Sequence, residues 1–292
     1  MSRCEYITAK ALFKTFKKTV TKARAPTELE ELLKDSSIYR AIHEVSYRSW
    51  NKQEKIISES LGALMLFRVR QQVPCVLSLV RSYDNKIIKK KALERSLSAI
   101  EKFHFQFTAI TSQRSSGGIS GMYAALGRRI FEADDSQGSA IVINELIEKL
   151  QQRVPSESEF VALFPELIYT KQLSKQRSLI RYVLLQFAKY DSLSLPGDYS
   201  DLTIEHILPQ DKIDDDEITD ELVGQLGNLI LVSPDLNEKL ENKSFPKKKS
   251  ILIKEGYPLP DYIASATTWG AEEIEQRTEE LAIRAHREIW RI

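Results

Sequence analysis

Apolar residues recur every three to four positions along most of the first 190 residues, and this spacing limits the fold more than any other feature. In the segment "KKKALERSLSAIEKFHFQF" one helical face would carry Leu93, Leu97, Ile100 and Phe103. No segment before Leu202 alternates polar and apolar residues as a half-buried strand would. We therefore expect a mainly α protein in which residues 1–195 form a helical domain.

The composition is that of an ordinary globular protein and excludes several classes. Hydrophobic residues make up 42% and charged residues 28%, and no apolar run is long enough to span a membrane. The start, "MSRCEYITAK", lacks the apolar core of a signal peptide, so we expect a cytoplasmic location. Cys4 and Cys75 provide neither a disulfide framework nor a CxxC zinc motif. With a net charge of +1, nucleic-acid binding would need local basic patches.

Two segments interrupt the helical pattern. The serines and glycines of "TSQRSSGGISG", residues 111–121, are typical of a loop, in which Arg114 is a minor candidate for a phosphate contact. In "SLPGDYSDL", Pro196 and Gly197 indicate a boundary. We expect a second region at residues 196–260 and a C-terminal helix at residues 261–292 that packs on the helical region.

The segment after this boundary reads as strand, loop, strand and helix. "TIEHILPQ" (residues 203–210) and "NLILV" (residues 228–232) are both β-prone and should pair as a hairpin. Ser233 then suits a helix N-cap and Pro234 the first helical position, which places Asn237 about one turn into the helix. This order predicts a ββα-metal nuclease module embedded in the helical protein.

The side chains of such a module would converge on one cation. Glu205 and Asn237 offer oxygen ligands of the kind that Mg²⁺, Mn²⁺ or another divalent cation prefers. His206 points to the opposite side of the strand and could take a proton from water as a general base. Asn228 would hold the loop that orients His206. The bound ion would neutralise charge on a scissile phosphate.

Charged residues near these positions suggest where nucleic acid would lie. We expect contacts to the DNA backbone from a basic cluster formed by Lys239, Lys243, Lys247 and Lys248. The acidic segment "DKIDDDEITDE", residues 211–221, would repel phosphate. We expect it to point away from the cleft or to act as a gate.

The motifs "TIEHILPQ" and "LGNLILVSPDLNEKLENKSFPKKK" resemble the His-Asn-His (HNH) nuclease domain of GmrSD-type restriction endonucleases. These are modification-dependent, type IV enzymes of phage defence. The resemblance implies that Glu205 is the acidic metal ligand, His206 the base, Asn228 the central asparagine and Asn237 the third motif residue. Phe245 and Lys248 match the family's "F..K" signature. The resemblance therefore also implies that Lys248 contacts a DNA phosphate.

The resemblance extends more loosely into the preceding helices, but one family feature is absent. The family usually carries an N-terminal ParB-like domain with an Asp-Gly-Gln-Gln-Arg motif, whereas "RVRQQVP" (residues 68–74) lacks the Asp-Gly. We therefore expect the chain to be a fragment of a larger enzyme or one subunit of a split pair. Its partners would be DNA and a ParB-like nucleotide-hydrolysing sensor domain or subunit.

The sequence thus predicts a metal-dependent HNH endonuclease that nicks or cuts DNA as the effector of a restriction system. Two alternatives stay open. In one, the ββα module is catalytically silent and binds a sensor subunit or a phage protein. In the other, the chain is a ribonuclease or a toxin that attacks cellular nucleic acid.

Overall fold

The computed structural model describes residues 9–112, 118–193, 195, 199, 201–213 and 217–292. Arg114, Cys4 and the boundary residues Pro196 and Gly197 lie outside the described residues. Within the described part the chain forms helices and one pair of strands, which confirms the prediction of a mainly α protein. None of these helices is both long enough and apolar enough to cross a membrane.

The chain divides into two compact units. The first consists of residues 1–101 and 115–153, and the second of residues 102–114 and 154–292. These boundaries differ from the ones expected at residues 195 and 260, because residues 102–114 and 154–195 make most of their contacts within the C-terminal half. Compactness and function are different criteria, so the division into three functional regions stays a prediction.

The first unit is helical. Its helices are α1 (Ala9–Thr19), α2 (Ala25–His43), α3 (Lys55–Leu66), α4 (Val73–Asp84), α5 (Lys90–His104), α6 (Ile119–Glu132) and α7 (Ser136–Gln151), the last three residues of α5 belonging to the second unit. The apolar face expected in α5 is confirmed, since its four residues have no exposed surface. Helices α4 and α6 approach closely at Gly127, where an added Cβ would lie 2.9 Å from the Cα of Cys75.

The second unit contains both strands. Its elements are α8 (Glu157–Leu163), α9 (Arg177–Tyr190), β1 (Thr203–His206), α10 (Asp220–Gly224), β2 (Leu229–Val232), α11 (Pro234–Leu240), α12 (Phe245–Lys254), α13 (Asp261–Ser265) and α14 (Ala271–Arg284). Two short π-helical segments, Phe105–Ile110 and Ala285–Ile289, also belong to it.

The strand pair forms as the sequence predicts. Strands β1 and β2 are antiparallel, with Glu205 opposite Ile230 and His206 opposite Leu229. All four residues of β2 are buried, which explains why this strand is continuously apolar. Ser233 caps α11 by accepting a hydrogen bond from the backbone N–H of Leu236, so the expected helix start is confirmed.

An aromatic cluster forms much of the core of the second unit. The ring of Trp290 stacks on Phe105 at a centroid distance of 4.0 Å. Its indole nitrogen donates a hydrogen bond to the hydroxyl of Tyr182 at 3.1 Å, and its carbonyl accepts one from the amide of Gln106 at 2.8 Å. The C-terminal residues are therefore held in the core by stacking and by hydrogen bonds.

A buried histidine in this unit should make stability depend on pH. His104 has no exposed surface, its Nδ1 lies 3.0 Å from the hydroxyl of Thr108, and burial lowers its pKa to about 3. Because the unfolded state binds a proton near pH 6.5 and the folded state does not, stability is retained above that pH and lost as the pH falls. His104→Gln should remove about 2 kcal/mol of the loss in unfolding free energy between about pH 7.5 and about pH 5.

The measurement is chemical denaturation at both pH values. His43→Gln is the matched control, because His43 is exposed and its replacement should leave the pH dependence unchanged. A pH dependence of His104→Gln equal to that of the wild type would contradict the prediction.

Candidate active site

The two strands place Glu205 and His206 on opposite faces of the hairpin at the end of β1. Thr203 and Glu205 share one face, because side chains alternate along a strand and residues two apart lie about 7 Å from each other. Both Glu205 and His206 are buried, at 7% and 6% exposure. Two ionisable side chains are thus adjacent in sequence but lie in different surroundings.

Asn228, immediately before β2, fixes the end of β1. Its side chain is fully buried, and its amide oxygen accepts hydrogen bonds from the backbone N–H of Leu208 at 2.7 Å and the indole N–H of Trp269 at 3.0 Å. Its amide nitrogen donates to the carbonyls of Leu208 and Val223, both at 2.9 Å. Because a primary amide has two donor hydrogens and one acceptor oxygen, this arrangement satisfies the whole side chain. These contacts hold the loop after β1, and the expected role of Asn228 in orienting His206 stays a prediction.

Helix α14 holds the same loop from the C-terminal side. The backbone N–H of Gly227 donates to the hydroxyl of Thr278 at 3.1 Å, and its carbonyl accepts from the guanidinium of Arg277. A Cβ at Gly227 would lie only 2.1 Å from the carbonyl oxygen of Ile274, so a residue with a side chain does not fit. The central asparagine is therefore positioned by a helix that begins more than forty residues later.

His206 is oriented by the backbone of Tyr169. Its Nε2 lies 2.8 Å from the carbonyl oxygen of Tyr169, and the two rings are stacked with centroids 5.8 Å apart. Burial lowers the pKa of His206 to about 4, so the imidazole is neutral at pH 7. Since a carbonyl can only accept, Nε2 carries the proton and Nδ1 the lone pair. The side-chain amide of Gln210 donates to this Nδ1 at 3.3 Å.

The backbone around Tyr169 is itself fixed. The N–H of Tyr169 donates to the carbonyl of Gly224 at 2.8 Å, and Ile168 forms an isolated antiparallel bridge with Gln225. The hydroxyl of Thr170 donates to the carboxylate of Asp220 at 2.9 Å. Tyr169 was not predicted from the sequence, because it acts through a backbone carbonyl that any residue would supply.

Lys248 forms a buried ion pair with Glu205. Its ammonium donates to Oε1 of Glu205 at 2.5 Å and to the carbonyl of His206 at 2.6 Å. Burial raises the pKa of Glu205 and lowers the pKa of Lys248, and in each case the attraction between the two opposes the effect of burial. Lys248 is only 2% exposed, whereas the sequence predicts a surface cation that touches phosphate. Its observed contacts orient Glu205.

Asn237 lies on the same side of the hairpin as Glu205. Its amide nitrogen donates to the hydroxyl of Thr203 at 3.1 Å, and no described residue donates to its amide oxygen. Glu205 and Asn237 line one open cleft of about 450 Å³ together with His206 and Lys248. An anionic and a neutral oxygen donor at the wall of an open cleft fit a hard divalent cation that keeps several water ligands. The ion pair with Lys248 competes with such an ion for one carboxylate oxygen.

The other predicted lysines differ in their surroundings. Lys239 forms an ion pair with Glu255 at 2.7 Å, and Lys243 forms one with Glu241 at 2.8 Å. Lys247 is exposed and has no ion pair among the described residues. The expected role of these three lysines in DNA binding stays a prediction.

The acidic segment reaches the cleft. Asp211 and Asp220 line it, which corrects the expectation that this segment points away and leaves its role as a gate a prediction. The reason is local: Asp220 accepts the hydrogen bond from Thr170 and begins helix α10, so its carboxylate is held beside Tyr169. Residues 214–216 lie outside the described residues.

These contacts define a class of protein: a helical protein in which a strand pair carries a buried glutamate and a neutral histidine at the wall of a cleft. Residues 155–283 match the family model described as GmrSD restriction endonucleases, C-terminal domain. The match confirms the resemblance over residues 155–283 and indicates a restriction-endonuclease-like nuclease region there. The matched range contains every residue predicted for catalysis, metal binding and the basic cluster, whereas the minor candidate Arg114 lies outside it. A search of the curated proteins found no match.

The Asn228 network should be sensitive to an isosteric change. In Asn228→Asp the carboxylate can still accept from Leu208 and Trp269 but cannot donate to the carbonyls of Leu208 and Val223. We expect a loss of roughly 1–3 kcal/mol in unfolding free energy for each carbonyl left without a donor. Chemical denaturation measures this loss. The exposed Asn242, changed to Asp, serves as the control and should show little effect, and equal denaturation midpoints for the two variants would contradict the prediction.

Proposed function

We propose that this chain hydrolyses DNA phosphodiester bonds as the effector nuclease of a restriction system, with His206 as general base and a divalent cation held by Glu205 and Asn237. The observation that supports this most directly is the state of His206. Its ring is neutral, its Nε2 is engaged by the Tyr169 carbonyl, and its Nδ1 lies beside a cleft with two oxygen donors and accepts only a 3.3 Å hydrogen bond from Gln210.

The residues suggest how the reaction would proceed. The attacking water replaces the Gln210 amide at Nδ1 of His206, and Nδ1 takes a proton from this water as its oxygen attacks phosphorus. The carbonyl of Tyr169 stabilises the resulting imidazolium through Nε2–H. The bond from phosphorus to the 3′ oxygen breaks, and that oxygen takes a proton from solvent, leaving 5′-phosphate and 3′-hydroxyl ends. Mg²⁺ or Mn²⁺ at Glu205 and Asn237 would supply charge neutralisation on the phosphate and on the leaving oxygen.

Asn228 and Lys248 act through other residues in this proposal. Asn228 binds both the backbone N–H and the carbonyl of Leu208, two residues beyond His206, so it holds the loop that follows the strand end. Lys248 binds both the carboxylate of Glu205 and the carbonyl of His206. Both are positioning residues, and a preorganised site needs such support because small displacements of a base slow proton transfer strongly.

One observation favours a different function. The carboxylate of Glu205 is almost completely buried and already has a cationic partner in Lys248. These contacts suit a structural ion pair in a module that has no catalytic role. In that case the module would bind a sensor subunit or a phage protein. Metal binding distinguishes the two functions.

Cleavage of supercoiled plasmid DNA with Mg²⁺ tests the nuclease proposal. His206→Ala should slow cleavage by about 10²–10⁴-fold, because it removes the general base without unfolding the chain. EDTA should abolish cleavage, and His43→Ala should have no effect because this exposed histidine lies in the first unit. Cleavage that persists in EDTA or in His206→Ala would contradict the proposal. Preferential cleavage of RNA would favour the ribonuclease alternative.

Titration calorimetry with Mn²⁺ tests the ligand set. Asn237→Ala should weaken binding, since it removes one oxygen ligand, whereas Asn144→Ala should bind as the wild type does because Asn144 is an exposed residue of α7. Equal binding by all three proteins would support the catalytically silent module.

A further inference from the structure

One wall of the cleft carries basic residues that the nuclease motif does not include. The segment from Lys171 to Arg177, called the basic segment below, also contains Lys175. Lys171 and Gln172 line the cleft beside His206 and Glu205. The segment lies just after Tyr169, whose carbonyl orients the proposed base.

The cations of the basic segment are available to a ligand. Lys171, Lys175 and Arg177 are exposed, and none of them has an ion pair among the described residues. By contrast, Lys239 and Lys243 are each paired with a glutamate. A paired lysine must give up its partner before it can bind phosphate, whereas an unpaired one gives up only water and counterions.

The backbone of the basic segment is held close to the site. The N–H of Lys171 donates to the side-chain carbonyl of Gln210 at 2.8 Å, and the other end of the same amide donates to His206. Near the end of the segment, the side-chain carbonyl of Gln176 accepts from the N–H of Ile168 at 2.9 Å. These bonds fix the backbone that carries the cations relative to the imidazole before any substrate binds.

Two observations place Arg177 and Lys171 near His206. The guanidinium carbon of Arg177 lies 6.0 Å from the centre of the Tyr169 ring, which stacks on His206. Lys171 lines the same cleft as the His206 ring. A phosphate bound by these cations would therefore lie close to the proposed base.

We infer that the basic segment binds the phosphate backbone of the DNA substrate next to the scissile phosphate, and that Lys171 and Lys175 contribute more to binding than Lys239 and Lys243. The inference rests on the proposed nuclease function and adds the surface that holds its substrate. Arg177 supports the Tyr169 ring at the same time.

Salt-dependent DNA binding tests this inference. We would measure the affinity for a labelled duplex by fluorescence anisotropy at several salt concentrations, with EDTA present to prevent cleavage. The double variant Lys171→Ala/Lys175→Ala should bind more weakly than the wild type. The slope of log K against log salt should fall by about 0.9 for each phosphate that is no longer neutralised, or nearly two for both lysines.

The matched control is Lys239→Ala/Lys243→Ala, which removes the same charge from the basic cluster predicted from the sequence. Its slope should stay closer to that of the wild type. In cleavage assays with Mg²⁺, the basic-segment variant should show a raised KM and a kcat within a few-fold of the wild type. Equal melting temperatures would show that both variants keep the fold.

Two results overturn the inference in distinguishable ways. If the wild type binds and cleaves DNA but the basic-segment variant keeps the wild-type slope, or the slope of the control falls further, the inference fails and the nuclease proposal stands. If the wild type neither binds nor cleaves DNA, both fail.

Discussion

The rest of the site depends on the hydrogen bonds of the fully buried Asn228 side chain. Its amide bonds to the backbone of Leu208 in both directions, and also to Val223 and Trp269. One residue thereby joins the end of β1, helix α10 and the segment before α14. A buried amide that makes all its hydrogen bonds stabilises the fold. Removing it would leave buried backbone groups without hydrogen-bond partners, at a cost of about 1–3 kcal/mol in unfolding free energy for each group. The geometry of the strand end is therefore strongly specified.

Glu205 and His206, the two ionisable residues at the end of β1, have different protonation states because the two faces of the strand pair supply different partners. Glu205 meets the ammonium of Lys248, while His206 meets a carbonyl oxygen and an aromatic ring. Burial opposes charge on both, but only Glu205 has a charged partner in direct contact that offsets this effect. The result is an anchored carboxylate and a neutral imidazole with its lone pair on Nδ1, side by side in sequence.

Much of the scaffold could be read from local patterns. The pairing of residues 203–206 with 229–232 follows from two short β-prone runs, and the start of α11 follows from Ser233 and Pro234. Asn228 stood out as the first residue of the second run and as the match to the central asparagine of the family motif. The contributions of Tyr169 and Gln210 could not be predicted, because a backbone carbonyl has no signature in the sequence and a glutamine has many roles. The ion pair of Lys248 escaped prediction as well, since its partner lies 43 residues away.

The sequence by itself determined the helical class and the pairing of the two strands, because these depend on periodicity and on short-range chemistry. It also singled out Glu205, His206, Asn228 and Asn237 as site residues, and their roles stay predictions. Only the tertiary structure decided which lysines are paired, which face of the hairpin meets which neighbour, and that the segment after Tyr169 lines the cleft. Charge runs in a sequence show how many cations exist but not which carboxylates they meet. That depends on how distant helices pack, and packing is a property of the whole second unit.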